Sequence, residues 1–94
     1  MIKGFADTLT ENAFRGIFPR KRFPPDLAKR ARRKLEMIDK ARSFGDLAHP
    51  PGNGLHALTG DRAGQYALKI NDQWRICFIW DGRDASEVEI VDYH

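Results

Sequence analysis

The sequence predicts a small α+β domain: a short N-terminal strand, two helices, then an antiparallel meander. Three observations carry that expectation. The chain has 94 residues, too few for two hydrophobic cores, so residues 1–94 are expected to form one domain. Its first half repeats apolar residues at helical spacing, and its second half alternates them at strand spacing.

Met1-Ile2-Lys3-Gly4-Phe5 alternates apolar and polar residues, as a short strand does. Asp7 and Thr8 offer N-caps for a helix over 8–17, with Leu9, Ala13 and Phe14 or Ile17 facing inward. Gly16 and Pro19 end it, and Arg20-Lys21-Arg22 is a basic connector. Pro24-Pro25 opens the clearest element, since a first helical turn does not need the missing N–H. Leu27, Ala31, Leu35, Ile38 and Ala41 then recur at helical spacing over 25–42. Lys29, Arg30, Arg32, Arg33, Lys34, Lys40 and Arg42 occupy the other faces. Ser43 to Leu47 allows one more turn, and His49-Pro50-Pro51-Gly52-Asn53-Gly54 reads as a loop.

From there the period changes to two. Leu55 to Leu58 fits a short strand, Gln65–Ile70 and Trp74–Trp80 a hairpin, and Glu87–Tyr93 a last strand. Tyr66, Leu68 and Ile70 share a face with Trp74, Ile76 and Phe78 only if Ile70 lies opposite Trp74, across a three-residue turn. That register sets Lys69 against Arg75 on the other face. Two opposed cations repel, by a few tenths of a kcal/mol or more, and an anion between them would relieve it. Trp74, Phe78 and Trp80 read as core aromatics rather than base-stacking platforms.

Charge is unevenly placed. Residues 1–47 hold twelve Lys/Arg against six Asp/Glu, a net of +6; residues 48–94 hold four against seven, a net of −3. A basic half fits a polyanionic partner, because Lys and Arg release counterions from phosphates; it fits equally a solvated helix face. No apolar run approaches the roughly 20 residues of a membrane span. No secretory leader opens the sequence, and with one cysteine, Cys77, the expected location is the cytoplasm. Cys77 sits mid-strand, as a small core residue would.

No metal-ligand spacing links His49, His56 and His94, so neither metal nor cofactor is expected. No glycine-rich phosphate loop or nucleophile-elbow serine is present either. The ionisable set that stands out is His56, Arg62, Lys69, Arg75, Asp92, Tyr93 and His94. Asp92-Tyr93-His94 is read either as a frayed end or as part of a site.

The stretch Leu55-His56-Ala57-Leu58-Thr59-Gly60-Asp61-Arg62, then Asn71-Asp72-Gln73-Trp74-Arg75-Ile76, then Asp92-Tyr93-His94 resembles the HigB-type toxins of the RelE superfamily. The likeness covers roughly the last forty residues, in order and with fitting spacing. It implies the RelE-like α+β fold, two helices packed on one face of an antiparallel sheet, with RNA received on the opposite, concave face. It also implies a toxin of a type II toxin–antitoxin system: a ribosome-dependent messenger-RNA endonuclease that inhibits translation. Its partners would be the ribosome, mRNA and a HigA-type helix-turn-helix antitoxin.

Metal-free RNA cleavage needs a base for the ribose 2′-hydroxyl, an acid for the departing 5′-oxygen and cations for the phosphate. The resemblance supports His56, Arg62, Arg75, Asp92, Tyr93 and His94 position by position. His94 or Asp92 suits the base and His56 the acid, or the reverse. Arg75 suits a two-pronged phosphate clamp, or alternatively an ion pair with Glu89 or Asp92. Tyr93 suits stacking on a base or orienting the phosphate. Arg62 supports the clamp; Lys69 joins it from register alone, and Arg30 and Arg33 join as RNA contacts on the basic helix, which could equally dock an acidic antitoxin segment. One departure stands out: Thr59 occupies a position where many relatives carry lysine. Two other readings compete, a non-catalytic nucleic-acid-binding module and a degenerate toxin that keeps only antitoxin binding and co-repression.

Overall fold

The computed structural model describes residues 1–19 and 23–92; the basic connector Arg20-Lys21-Arg22 and the pair Tyr93-His94 lie outside the described residues. Helices α1 (Thr8–Phe14) and α2 (Pro25–Lys40) precede strands β1 (His56–Ala57), β2 (Tyr66–Lys69), β3 (Trp74–Trp80) and β4 (Ala85–Asp92). The strands form one antiparallel sheet in the order β1-β2-β3-β4, the meander that the alternation predicts.

Asp7 caps α1 as expected, its carboxylate accepting the Thr10 N–H at 2.8 Å. The helix ends at Phe14, three residues early, because Gly16 takes a left-handed φ of +88°. Pro25 starts α2, which stops at Lys40 rather than 42. The reason is Asp46. Its carboxylate accepts the N–H groups of Arg42 and Ser43 at 3.0 and 3.2 Å, opening the 3-10 turn Phe44–Ala48 with a capping box. Those bonds, the Arg42 N–H first, hold the Asp46 carboxyl below its ordinary pKa.

Leu27, Ala31, Leu35 and Ile38 of α2 are buried against Leu68, Ile70, Ile76, Phe78, Val88 and Ile90 of the sheet, with Ala13 of α1 in the same core. Trp74 stacks near Phe23 at 5.1 Å and Trp80 near Phe44 at 6.3 Å, so the aromatics of β3 serve the core as expected. Both helices therefore cover one sheet face and leave the other open.

The N-terminal strand forms only in part. Ile2 and Phe5 make isolated parallel bridges to Ala85 and Val88 on the outer edge of β4. The cause is a bulge: Phe78 faces two residues of β4, with Glu87 at φ +51°, so no neighbour can pair continuously alongside.

One tertiary bond ties α1 to the sheet. The Ile90 N–H donates to the Thr10 hydroxyl at 2.9 Å, both groups buried. Thr10→Val keeps the shape and orphans that N–H, with an expected loss of about 1–3 kcal/mol. Each kcal/mol lowers Tm by roughly 4–8 °C in a domain of this size. Thermal melting checks it, with Thr10→Ser expected to retain the bond and most of the stability.

Candidate active site on the open face of the sheet

The hairpin takes the register that the sequence requires: Leu68 opposes Ile76, and Lys69 opposes Arg75. Ile70 N–H meets the Trp74 carbonyl at 3.0 Å. The Asn71 side chain accepts the N–H groups of Gln73 and Trp74 at 2.9 and 2.8 Å, which shapes the three-residue turn. Pairing aligns His56, Ala67, Cys77 and Glu89 in one row across the open face, and Lys69, Arg75 and Val91 in the next.

His56 is exposed, and its Nδ1 lies 2.8 Å from the Gly54 carbonyl. A carbonyl only accepts, so Nδ1 carries the proton and Nε2 is the nitrogen left to exchange one. His56, Thr59, Asp61 and Arg62 line a common recess of about 270 Å³. The position that departs from the toxin pattern thus sits beside the candidate histidine.

Arg62 donates to Gln65 Oε1 and to Glu89 Oε1, both at 3.1 Å. Glu89 is therefore the partner of Arg62; the alternative pairing of Glu89 with Arg75 is not what forms. Arg75 instead turns its guanidinium onto the hairpin, donating to the Asn71 carbonyl and, at 3.2 Å, to that of Trp74. Beneath the Arg62–Glu89 pair lie Ala67 and Cys77, 0% and 1% exposed. Cys77 is small and buried as expected, but on the open side of the sheet. Burial pushes its thiol pKa up, against the pull of the Arg62 charge.

The repulsion between Lys69 and Arg75 is met inside the chain. Lys69 Nζ lies 3.0 Å from Asp72 Oδ1, whose side chain is fully exposed on the turn. The hydrogen bond and charge of Lys69, with smaller help from Arg75 and Arg30, hold the Asp72 carboxyl below its usual pKa. The register is right, yet it does not by itself demand an outside anion, because the turn supplies a carboxylate.

Asp92 ends β4 opposite Trp74, so strand alternation gives it the parity of Ile90 and the helix side rather than that of Arg75. Its Oδ2 accepts from Gln73 Nε2 at 3.3 Å. Tyr93 and His94 lie outside the described residues. Arg30 and Arg33 stand away from the His56 recess; they line a separate cleft with Lys34 and Lys69. Residues that sequence reasoning passed over are Glu89 as the Arg62 partner, Gln65, Asp72, Lys34 and Asn53. Only Glu89 had a usable signal, its alternation with the inward Val88 and Ile90. Among the described residues no three of His, Cys, Asp and Glu converge as metal ligands. No helix there is long and apolar enough to cross a membrane.

Two helices packed on one face of a four-stranded antiparallel sheet are the α+β architecture of the small toxins called RelE-like. A family model described as the RelE-like toxin of type II toxin–antitoxin system HigB matches residues 3–94, and the chain belongs to this family. Membership of a type II toxin–antitoxin family implies an antitoxin partner. The chain is 32% identical over 80 residues to Toxin HigB-1 of Vibrio cholerae serotype O1, covering 85% of this chain and 84% of that one. It is 36% identical over 61 residues to Endoribonuclease HigB of Proteus vulgaris, covering 65% of each.

Proposed function

We propose that this toxin is a cytoplasmic, ribosome-dependent messenger-RNA endonuclease held in check by a HigA-type helix-turn-helix antitoxin. The carrying observation is that His56, Arg62, Lys69 and Arg75 stand on or border the sheet face that the helices leave open. The Proteus vulgaris relative, named an endoribonuclease, supports the same reading.

The reaction uses the chain's own groups. The ribose 2′-oxygen attacks the adjacent phosphorus and the bond to the 5′-oxygen breaks, leaving a 2′,3′-cyclic phosphate and a 5′-hydroxyl. One group takes the 2′ proton and another supplies a proton to the departing oxygen. His56 works through Nε2, since Nδ1 is committed to Gly54. As imidazolium it protonates the leaving oxygen while His94 acts as base, since Asp92 has the parity of the helix side; in the reverse assignment the same atom takes the 2′ proton. Arg75 leaves the turn carbonyls to grip two phosphate oxygens, and Arg62 and Lys69 exchange their carboxylates for phosphate charge. Tyr93 stacks on a flanking base.

One observation favours a degenerate toxin instead: Thr59 beside His56, with Arg62 and Lys69 each already paired to a carboxylate. Mapping message ends in a translating extract separates the two. New 5′-hydroxyl ends only on translated messages are expected. Intact messages, with antitoxin binding retained, would establish the degenerate reading.

A further inference from the structure

Beyond the open face, α2, the 3-10 turn Pro51–Asn53 and the β2–β3 turn enclose a cleft of about 540 Å³. Arg30, Arg33, Lys34 and Lys69 line it, with Asp72 the one acid among the described residues there. Arg30, Arg33 and Lys34 are spaced three and four apart on α2, so they project to one side of the helix. Among the described residues, no carboxylate forms a salt bridge with any of these three.

Lys34 is held there by design of its surroundings. Its ammonium donates to the Oδ1 of Asn53, which is 0% exposed. Both protons of the Asn53 amide nitrogen are spoken for by the carbonyls of Leu47 and His49, at 3.1 and 3.0 Å. Carbonyls only accept, so the amide cannot flip, and its oxygen must face Lys34. Desolvation first, then the charges of Arg30 and Arg33, lower the Lys34 pKa. A group so crowded by like charge gains from an anion in the cleft.

We propose that this cleft is a binding site for an RNA phosphodiester, with Lys34 as its pinned central cation and Asp72 as an internal carboxylate that the phosphate displaces from Lys69. The proposal rests on the endonuclease reading. Lys69 is what joins the two places. It opposes Arg75 across the hairpin, where paired Cα atoms are about 4.5–5.5 Å apart, so a strand gripped by Arg75 lays a neighbouring phosphate at the cleft. That continuity selects an RNA backbone over an acidic peptide of the antitoxin.

The test uses the full-length protein and an all-2′-deoxy hexanucleotide, which offers phosphates but no 2′-hydroxyl to react. Fluorescence anisotropy is read at several salt concentrations. Lys34→Gln is expected to weaken binding about three- to tenfold and to reduce the salt slope by about 0.7. Asp72→Asn is expected to tighten binding by a similar factor. Because the Asp72 side chain is fully exposed, this second variant does not depend on the core. Wild-type affinity in both variants, or weaker binding by Asp72→Asn, overturns the proposal. So does a Lys34→Gln variant that binds the hexanucleotide normally but loses affinity for a polyglutamate peptide. Lys34-dependent binding in a protein that cuts no message would uphold the cleft while sinking the endonuclease reading; message cleavage with Lys34-independent binding would do the opposite.

Discussion

Arg75→Ala is expected to reduce message cleavage in a translating extract by about 100- to 1,000-fold, the usual cost of removing one donor to a developing oxyanion. The residue sits mid-face, between Lys69 on β2 and Val91 on β4. Its guanidinium already bridges two carbonyls of the hairpin turn. Those bonds also brace the turn, so the variant should lose a little thermal stability along with its activity. Arg75→Lys separates the effects: it keeps the charge and forfeits the two-pronged grip, and intermediate cleavage is expected. Cleavage by Arg75→Ala within threefold of the parent would remove Arg75 from the reaction.

Phe78→Ala is expected to cost about 3–5 kcal/mol. Phe78 is fully buried at the centre of β3, with the Tyr66 ring 6.3 Å away and the bulge of β4 opposite. Against a total stability of about 5–15 kcal/mol for a typical domain, that loss leaves a large unfolded fraction. Urea unfolding followed by tryptophan fluorescence reads it directly, through Trp74 and Trp80. A midpoint matching that of the parent would show that the cavity had collapsed.

Much of the framework is legible in the chain. The spacing of Leu27, Ala31, Leu35 and Ile38 places α2 and its buried face. The face rule for Tyr66 through Phe78 yields the hairpin register, including Lys69 opposite Arg75. The opening strand forms only in part, because its five residues carry no sign of the bulge at Glu87 that interrupts their pairing. Of the residues the sequence puts forward, His56 and Arg75 fall on the open face and Arg62 borders it, while Asp92 falls on the parity of Ile90. Which partners Arg62 and Lys34 take is not legible. Glu89 lies 27 residues from Arg62, and Asn53 19 from Lys34.

Periodicity and caps are local, written within a few residues by steric and hydrophobic preference, so the order of helices and strands and the identity of the buried face follow from the chain alone. The pairings Arg62–Glu89 and Lys34–Asn53 follow only from how turns and strands meet in space. Long flexible side chains choose among partners that differ by about 1 kcal/mol or less at the surface, and proximity decides among them. Only the folded arrangement sets that proximity.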